Sequence, residues 1–292
     1  MGRQASMGIS QGVKASVSVR ESPVQAGGED TDTSLDSLRS KGQWWSILAK
    51  SVLRKALYVV GFIALWWIVT GTHLLPAFAV PSPAAVAKVT GSSFGSLVSQ
   101  SWVTVQRVII TVLAIWVVGA LVGVFVGMTP RLWPLLGLGR ALYAVPIVVV
   151  YPLLGVWFGV GGASKIVFGF VSGILPMSLM SAAAVRSIDE NIYILFASLR
   201  VSRVSMFRRA VLPAALPGVI SAMRLSGSMG LVSVVVGEML LSANGIGYWI
   251  SNAESQFEGP TLYEGIIIVL VFAVILNSLV GYLERKVAAA YG

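Results

Sequence analysis

The chain has 292 residues, 56% of them hydrophobic and 11% charged, with no cysteine, one histidine and a formal net charge of +9. A soluble domain carries roughly 25% charged residues, so an ordinary soluble globule is excluded; the missing cysteines exclude disulfides, iron–sulfur clusters and thiolate zinc sites, and the lone His73 argues against a histidine-based metal or catalytic centre. Most Lys and Arg sit at the ends of apolar runs, where a membrane accounts for them without nucleic acid.

Residues 1–41 are rich in Ser, Gly, Asp and Glu and are expected to form a disordered cytoplasmic tail with no signal peptide. Residues 42–55, opening with Trp44 and Trp45, are expected to be an interfacial segment. The remainder, 56–292, is expected to be an all-α polytopic membrane domain. Its apolar runs can each cross a hydrocarbon core ~30 Å thick, and such runs must be helical to satisfy their own backbone. Six transmembrane helices are predicted, at about 56–75, 103–128, 132–158, 164–185, 214–241 and 262–283. In the loop after the first, Pro76, Pro81 and Pro83 forbid continued helix and force an extended turn, with a short, weakly amphipathic helix to follow. Pro146 and Pro152 are expected to break the third span, and Pro176 and Pro217 to interrupt the fourth and fifth.

Charge sets the orientation. With the tail inside, the inner loops hold Lys50, Arg54, Lys55, Arg131, Arg186, Arg200, Arg203, Arg208, Arg209, Arg285 and Lys286. The outer loops hold only Lys88 and Lys165 as cations, with Glu254 and Glu258 in the last one. The positive-inside bias places both termini in the cytoplasm.

A basic segment, 187–213, lies between the fourth and fifth spans. Ser187 and Glu190 fit a capping box that would start a helix. Ile192, Leu195, Phe196 and Leu199 recur at helical spacing as one apolar face, and Val204, Phe207 and Val211 form a second stripe. Arg200, Arg203, Arg208 and Arg209 crowd the same region, and a bend near 200–202 would give a compact knob. Two readings follow from spacing alone: a piece that seats in a partner's groove, or a helix pair lying on anionic lipid.

Inside the spans, Arg107 is within snorkelling reach of the outer interface, whereas Arg140 and Arg224 lie deeper. A charge at the bilayer centre costs about 2.5–3.5 kcal/mol or more if it faces lipid, so Arg224 should face protein or a wet cavity. Arg140, Arg224, Ser221, Ser228 and Glu238 are candidates for a translocation path, with an interhelix clamp to carbonyls or a carboxylate as the rival role for Arg224 and a structural or gate role at the outer mouth for Glu238. Gly119, Gly123 and Gly127 form a small-residue ridge suited to close helix packing. The stretch from Gly159 to Lys165 lacks the Gly-Lys-Ser/Thr ending of a phosphate loop and is expected to be a tight turn.

The run Phe207-Arg-Arg-Ala-Val-Leu-Pro-Ala-Ala-Leu-Pro-Gly218, then Arg224-Leu225, Gly237-Glu-Met239 and Gly245-Ile-Gly-Tyr248, resembles the permeases of binding-protein-dependent ABC importers, in the sulfonate, taurine, nitrate and thiamine-precursor branch. Leu75-Pro76 with Pro81-Ser-Pro83, and Pro146, Pro152 and Trp157-Phe-Gly159 with Ser164-Lys-Ile166, fit the same branch. The resemblance implies a type I ABC importer permease fold with a cytoplasmic coupling helix. Leu195, Phe196, Leu199, Arg200, Arg203, Phe207, Arg208 and Arg209 would contact the ATPase, and Pro81, Pro83, Gly245, Gly247 and Tyr248 would dock the binding protein. It further implies two ATPase chains that bind ATP and Mg, a second permease subunit (a homodimer by expectation), an extracytoplasmic solute-binding protein, and a prokaryotic plasma membrane. This chain itself would carry no cofactor, no metal and no catalysis, and would pass a small anionic solute. The family's Glu-Ala-Ala and following Gly are replaced here by Ile194-Leu195-Phe196 and Arg200, which predicts a more apolar knob and a bend that a non-glycine residue must strain to make or else shift. An ATP-independent channel or secondary carrier is the alternative; it would need an inverted repeat or mid-membrane carboxylates.

Overall fold

The computed structural model describes residues 57–58, 60–72, 76 and 78–291. The expected tail 1–41 and interfacial segment 42–55 lie outside the described residues. A compact unit spans Phe62–Gly292; of the preceding Met1–Gly61 only four residues are described, all helical. Among the described residues the secondary structure is entirely helical.

A short apolar helix, α1 (Val60–Gly71), comes first. After the proline-rich turn, Ser82 caps α2 by accepting a hydrogen bond from the Ala85 amide at 3.2 Å, with Pro83 in its first turn. α2 then runs unbroken from Pro83 to Met128, 46 residues. At 1.5 Å per residue that is roughly 69 Å, about twice the hydrocarbon thickness. The separate short outer helix expected before the second span is therefore the first half of one long helix. The physical reason is that residues 84–102 contain no proline, and isolated Gly91 and Gly95 weaken a helix without ending it.

α3 (Pro130–Tyr143) and α4 (Ile147–Phe158) meet at 77°. Pro146 stands at this bend in an extended conformation, but Pro152 sits in the first turn of a regular helix, where no hydrogen bond is lost. α5 (Gly162–Arg186) contains Pro176 without interruption. After the short α6 (Glu190–Ser198), α7 (Val204–Leu240) also runs continuously through Pro213 and Pro217. A π-helical turn at Phe207–Val211 precedes the prolines and closes with the Leu212 amide donating to the Phe207 carbonyl. That wider turn absorbs the amide missing at Pro213, so the paired prolines do not stop the helix. α8 (Ile246–Ser255) and α9 (Gly259–Tyr291) complete the chain.

Four of these helices, α2, α5, α7 and α9, are long and apolar enough to cross a membrane, and the bent pair α3–α4 makes a fifth crossing if counted as one. The core lies where α2, α5 and α7 meet: Ile115, Met177 and Ala222 have no accessible surface. Gly119, Gly123 and Gly127 form the seam with α5. A Cβ on Gly123 would fall on the Ser178 carbonyl and one on Gly127 on Ala182, so this ridge packs backbone against backbone.

Candidate functional site

Three constructions on this scaffold concern function: an elbow between α5 and α7, a buried polar cluster at the opposite end of α7, and a half-exposed polar cluster along α7 and α9.

The elbow starts differently from its sequence signature. Ser187 does not cap α6; its hydroxyl donates back to the Ala184 carbonyl at 2.9 Å, finishing α5. Asp189 is the cap, its carboxylate accepting from the Asn191 amide at 2.9 Å. α6 ends at Ser198, and the Val201 amide reaches back to the Phe196 carbonyl at 3.2 Å. Arg200 occupies the position between them at φ +51°, in the left-handed region where a glycine is usual. The bend is thus where the sequence placed it, and the arginine adopts the strained conformation itself. Ser202 restarts the helix by accepting from the Ser205 amide at 3.3 Å.

The elbow has a firm base and an open tip. Val185, Val211 and Ala215 are buried beneath it, with Ile188, Tyr193, Met206 and Phe207 packed against them; burial raises the Tyr193 phenol above its ordinary value. Outward, Leu195, Leu199 and Val204 are 56%, 65% and 67% exposed, and Ile194, which the spacing argument had left off the face, is as open as Leu195. Phe196 and Phe207 are half-buried, while Arg200, Arg208 and Arg209 are exposed. Of Arg203 only the backbone is described.

At the other end of α7, Arg107 is buried rather than snorkelling. One of its Nη groups donates to Glu238 Oε1 at 2.7 Å and to the Asn244 carbonyl at 3.1 Å, and the other donates to the Asn244 side-chain oxygen. The second Glu238 oxygen accepts from Thr104 at 2.8 Å and from the Gly247 amide at 3.0 Å. Gln100 receives the Gly245 amide at 2.6 Å. Gly245 stands at φ +101°, and a Cβ there would overlap the Glu238 carboxylate. Glu238 has no accessible surface, so in this arrangement it faces neither solute nor solvent. Lys165 is buried too, not a loop cation: its ammonium donates to the Val160 carbonyl at 2.5 Å. Pro81, Gly245 and Gly247, expected to meet a docked protein, are likewise buried, and Trp66 donates to the Pro81 carbonyl at 3.1 Å. Only Pro83 and Tyr248 of that set keep partial exposure. These glycines serve the interior, letting the chain fold closely around a carboxylate.

The third construction gathers three of the predicted path residues. Arg224 Nε donates to Asn277 Oδ1 at 3.2 Å, and its guanidinium lies 3.7 Å from Glu284. Ser221 donates to the other Glu284 oxygen at 3.1 Å, and Asn277 donates to Ser228 at 3.4 Å. The Arg224 and Glu284 side chains remain 53% and 37% exposed. Both sequence readings of Arg224 thus meet in one place: a carboxylate clamps it, yet it stays open. Asn277 and Glu284 were missed; the available signal was two polar residues seven apart, hence on one face, in an apolar helix. Arg140 is exposed on α3 and shares no hydrogen bond with this group. Among the described residues no three His, Cys, Asp or Glu side chains gather where they could hold a metal ion.

Residues 117–289, more than half of the chain, match the family described as the inner membrane component of binding-protein-dependent transport systems. The taurine transport system permease protein of Escherichia coli is 24% identical over 267 residues, 88% of this chain and 96% of its own. An aliphatic sulfonates transport permease protein of Bacillus subtilis is 28% identical over 234 residues, covering 77% and 82% of the two chains. The nitrate import permease protein of Leptolyngbya laminosa is 25% identical over 185 residues, covering 63% and 66%. In fold, the chain is similar to a subunit of an inward-facing methionine ABC transporter, with a TM-score of 0.58 and 16% identity over 67% of this chain and 98% of that one. With the helical fold and the match over its α2–α9 region agreeing, the chain belongs to the binding-protein-dependent transport system inner membrane component family and is a permease subunit of an ABC importer.

Proposed function

We propose that this permease crosses the inner membrane of a prokaryote six times, with both termini in the cytoplasm, and passes a small anionic solute inward. α1, α2, the α3–α4 pair, α5, α7 and α9 supply the crossings. The elbow at 187–213 is the coupling piece for a separate ATPase, which binds ATP and Mg. Two ATPase chains, a second copy of this permease and an extracytoplasmic solute-binding protein complete the assembly. The cluster of Arg224, Ser221 and Ser228, with Arg140 on the neighbouring bent pair, lines the path.

The observation that carries this reading is the elbow's architecture. Three large apolar side chains, Leu195, Leu199 and Val204, stand more than half exposed beside three exposed arginines, on a base buried in the helix core. A rigid base lets a push on the tip move α5 and α7 rather than bend the tip. The anion reading rests on the openness of Arg224 and on relatives whose names specify taurine, sulfonates and nitrate, all oxyanions or their amino derivatives. Docking predicts that Leu199→Asp in proteoliposomes holding all components abolishes ATP-driven uptake and ATPase co-purification while the permease still inserts. Uptake at the unmodified rate would rule out the coupling role.

A further inference from the structure

Among the described residues, only two non-glycine residues adopt positive φ, Arg200 and Phe257. The first marks the tip of the elbow. The second lies near the opposite end of the molecule, just beyond α8, and has the same local construction. The Phe257 amide donates to the Glu254 carbonyl at 3.1 Å and the Glu258 amide to the Ala253 carbonyl at 2.9 Å, the paired bonds that close a helix on a left-handed residue. Glycine makes this turn without strain. Phenylalanine is here instead, at φ +56°, and the residue is 74% exposed. Its ring meets that of Phe78 edge-on, with ring centroids 6.0 Å apart. Burial inside this chain therefore does not explain the residue, and a strained backbone carrying an exposed aromatic ring points to a use outside the chain.

From this geometry we infer that Phe257 and Phe78, with Glu254 and Glu258, form the docking surface for the solute-binding protein, and that the partner presents an apolar socket edged by Lys or Arg. The inference rests on the importer reading above, which puts this end outside the cell, and it moves the docking site away from Gly245 and Gly247, which are buried. The two rings flank a notch of about 230 Å³ whose floor includes Ala253 and Leu262. Glu254 and Glu258 are exposed beside it. Gly259 holds the Phe78 backbone so closely that a Cβ would strike its carbonyl, so the patch is preformed rather than loose. The two carboxylates select the partner's charge and disfavour burial of this corner in lipid headgroups. A preformed aromatic anchor inside a charged rim is the usual anatomy of a contact that dominates binding.

The test uses the full transporter in proteoliposomes, with ATP hydrolysis measured as its solute-binding protein is added in increasing amounts. Phe257→Gly should raise the half-saturating concentration at least tenfold while the melting temperature stays equal or rises, because glycine relieves the strained turn. The unmodified transporter should need more binding protein as salt rises, and the double variant Glu254→Gln/Glu258→Gln should lose that dependence. An unchanged half-saturating concentration in both variants overturns the inference, and so does a Phe257→Gly protein that melts lower, which would make the ring a packing residue. A change confined to the ring's insertion depth, read by bilayer quenchers, would make it a lipid anchor and also overturn the inference. If the unmodified transporter ignores its binding protein while Leu199→Asp has no effect, the coupling and assembly proposed above fail instead.

Discussion

Two Arg–Glu pairs join helices in this permease, and they are built oppositely. Arg107 and Glu238 sit 2.7 Å apart with side chains 10% and 0% exposed, and further donors and acceptors fill the remaining valences. Arg224 and Glu284 sit 3.7 Å apart, 53% and 37% exposed, with Asn277 and two serines as partners. The first pair is a brace: each charge is desolvated, so each depends on the other. The second stays half-exposed within this chain at a longer separation, so its charges depend less on each other. One chemical pair thus ties the middle of α2 to the C-terminal end of α7 and also leaves a cationic group available between α7 and α9.

The largest expected effect comes from breaking the brace. Glu238→Gln leaves the Arg107 guanidinium buried without a counter-charge, and removing one member of a buried pair costs about 3–5 kcal/mol. Thermal unfolding in detergent should show a protein that melts far lower or does not accumulate. Replacing both residues, Arg107→Met with Glu238→Leu, should recover part of that loss, since an apolar pair has no charge to desolvate while the Gly247 amide loses its acceptor. If the single variant melts like the parent, the brace reading is wrong. A smaller loss should follow Gly247→Ala, because its Cβ would land on the Val235 carbonyl and push α8 off the Glu238 carboxylate. Overpacking of this kind costs about 1–3 kcal/mol, and the same melting measurement checks it.

The two clusters also differ in how far they could be foreseen. The half-exposed one is partly legible: Ser221, Arg224 and Ser228 share a helix, so their spacing alone puts them on one face. Its other half, Asn277 and Glu284, belongs to a helix 53 and 63 residues further on. The buried brace joins residues 131 apart. No local periodicity encodes such a meeting, so spacing alone reads Arg107 as a snorkelling residue and the family resemblance reads Gly245 and Gly247 as a surface motif. The glycine ridge on α2 was legible because a four-residue repeat of small side chains has one main physical use. The elbow's bend is legible from the two apolar stripes that meet near 200–202, but its cap is not. Ser187 and Asp189 both precede the helix within three residues of Glu190, and only the backbone path decides which of them faces the free amides. The prolines misled for a related reason: a proline in a first turn, or just past a π-helical turn, removes an amide that had no regular partner to lose.

The subtlest prediction concerns the open pair. Arg224→Gln and Glu284→Gln should each change unfolding free energy by less than about 1 kcal/mol, and a double-mutant cycle should give a coupling well below that of Arg107 with Glu238. Transport should respond differently. If Arg224 lines the path, its loss removes a charge that only an anionic solute uses, and uptake at limiting solute should fall by about tenfold, equivalent to ~1.4 kcal/mol. Glu284→Gln should not imitate that loss, since it frees the guanidinium from its internal carboxylate and leaves it more available to the solute. Opposite signs for the two variants would identify Glu284 as a stand-in for the passing anion. Equal losses would reduce the pair to a second, weaker brace, because a clamp needs both of its ends and a solute site needs only the cation.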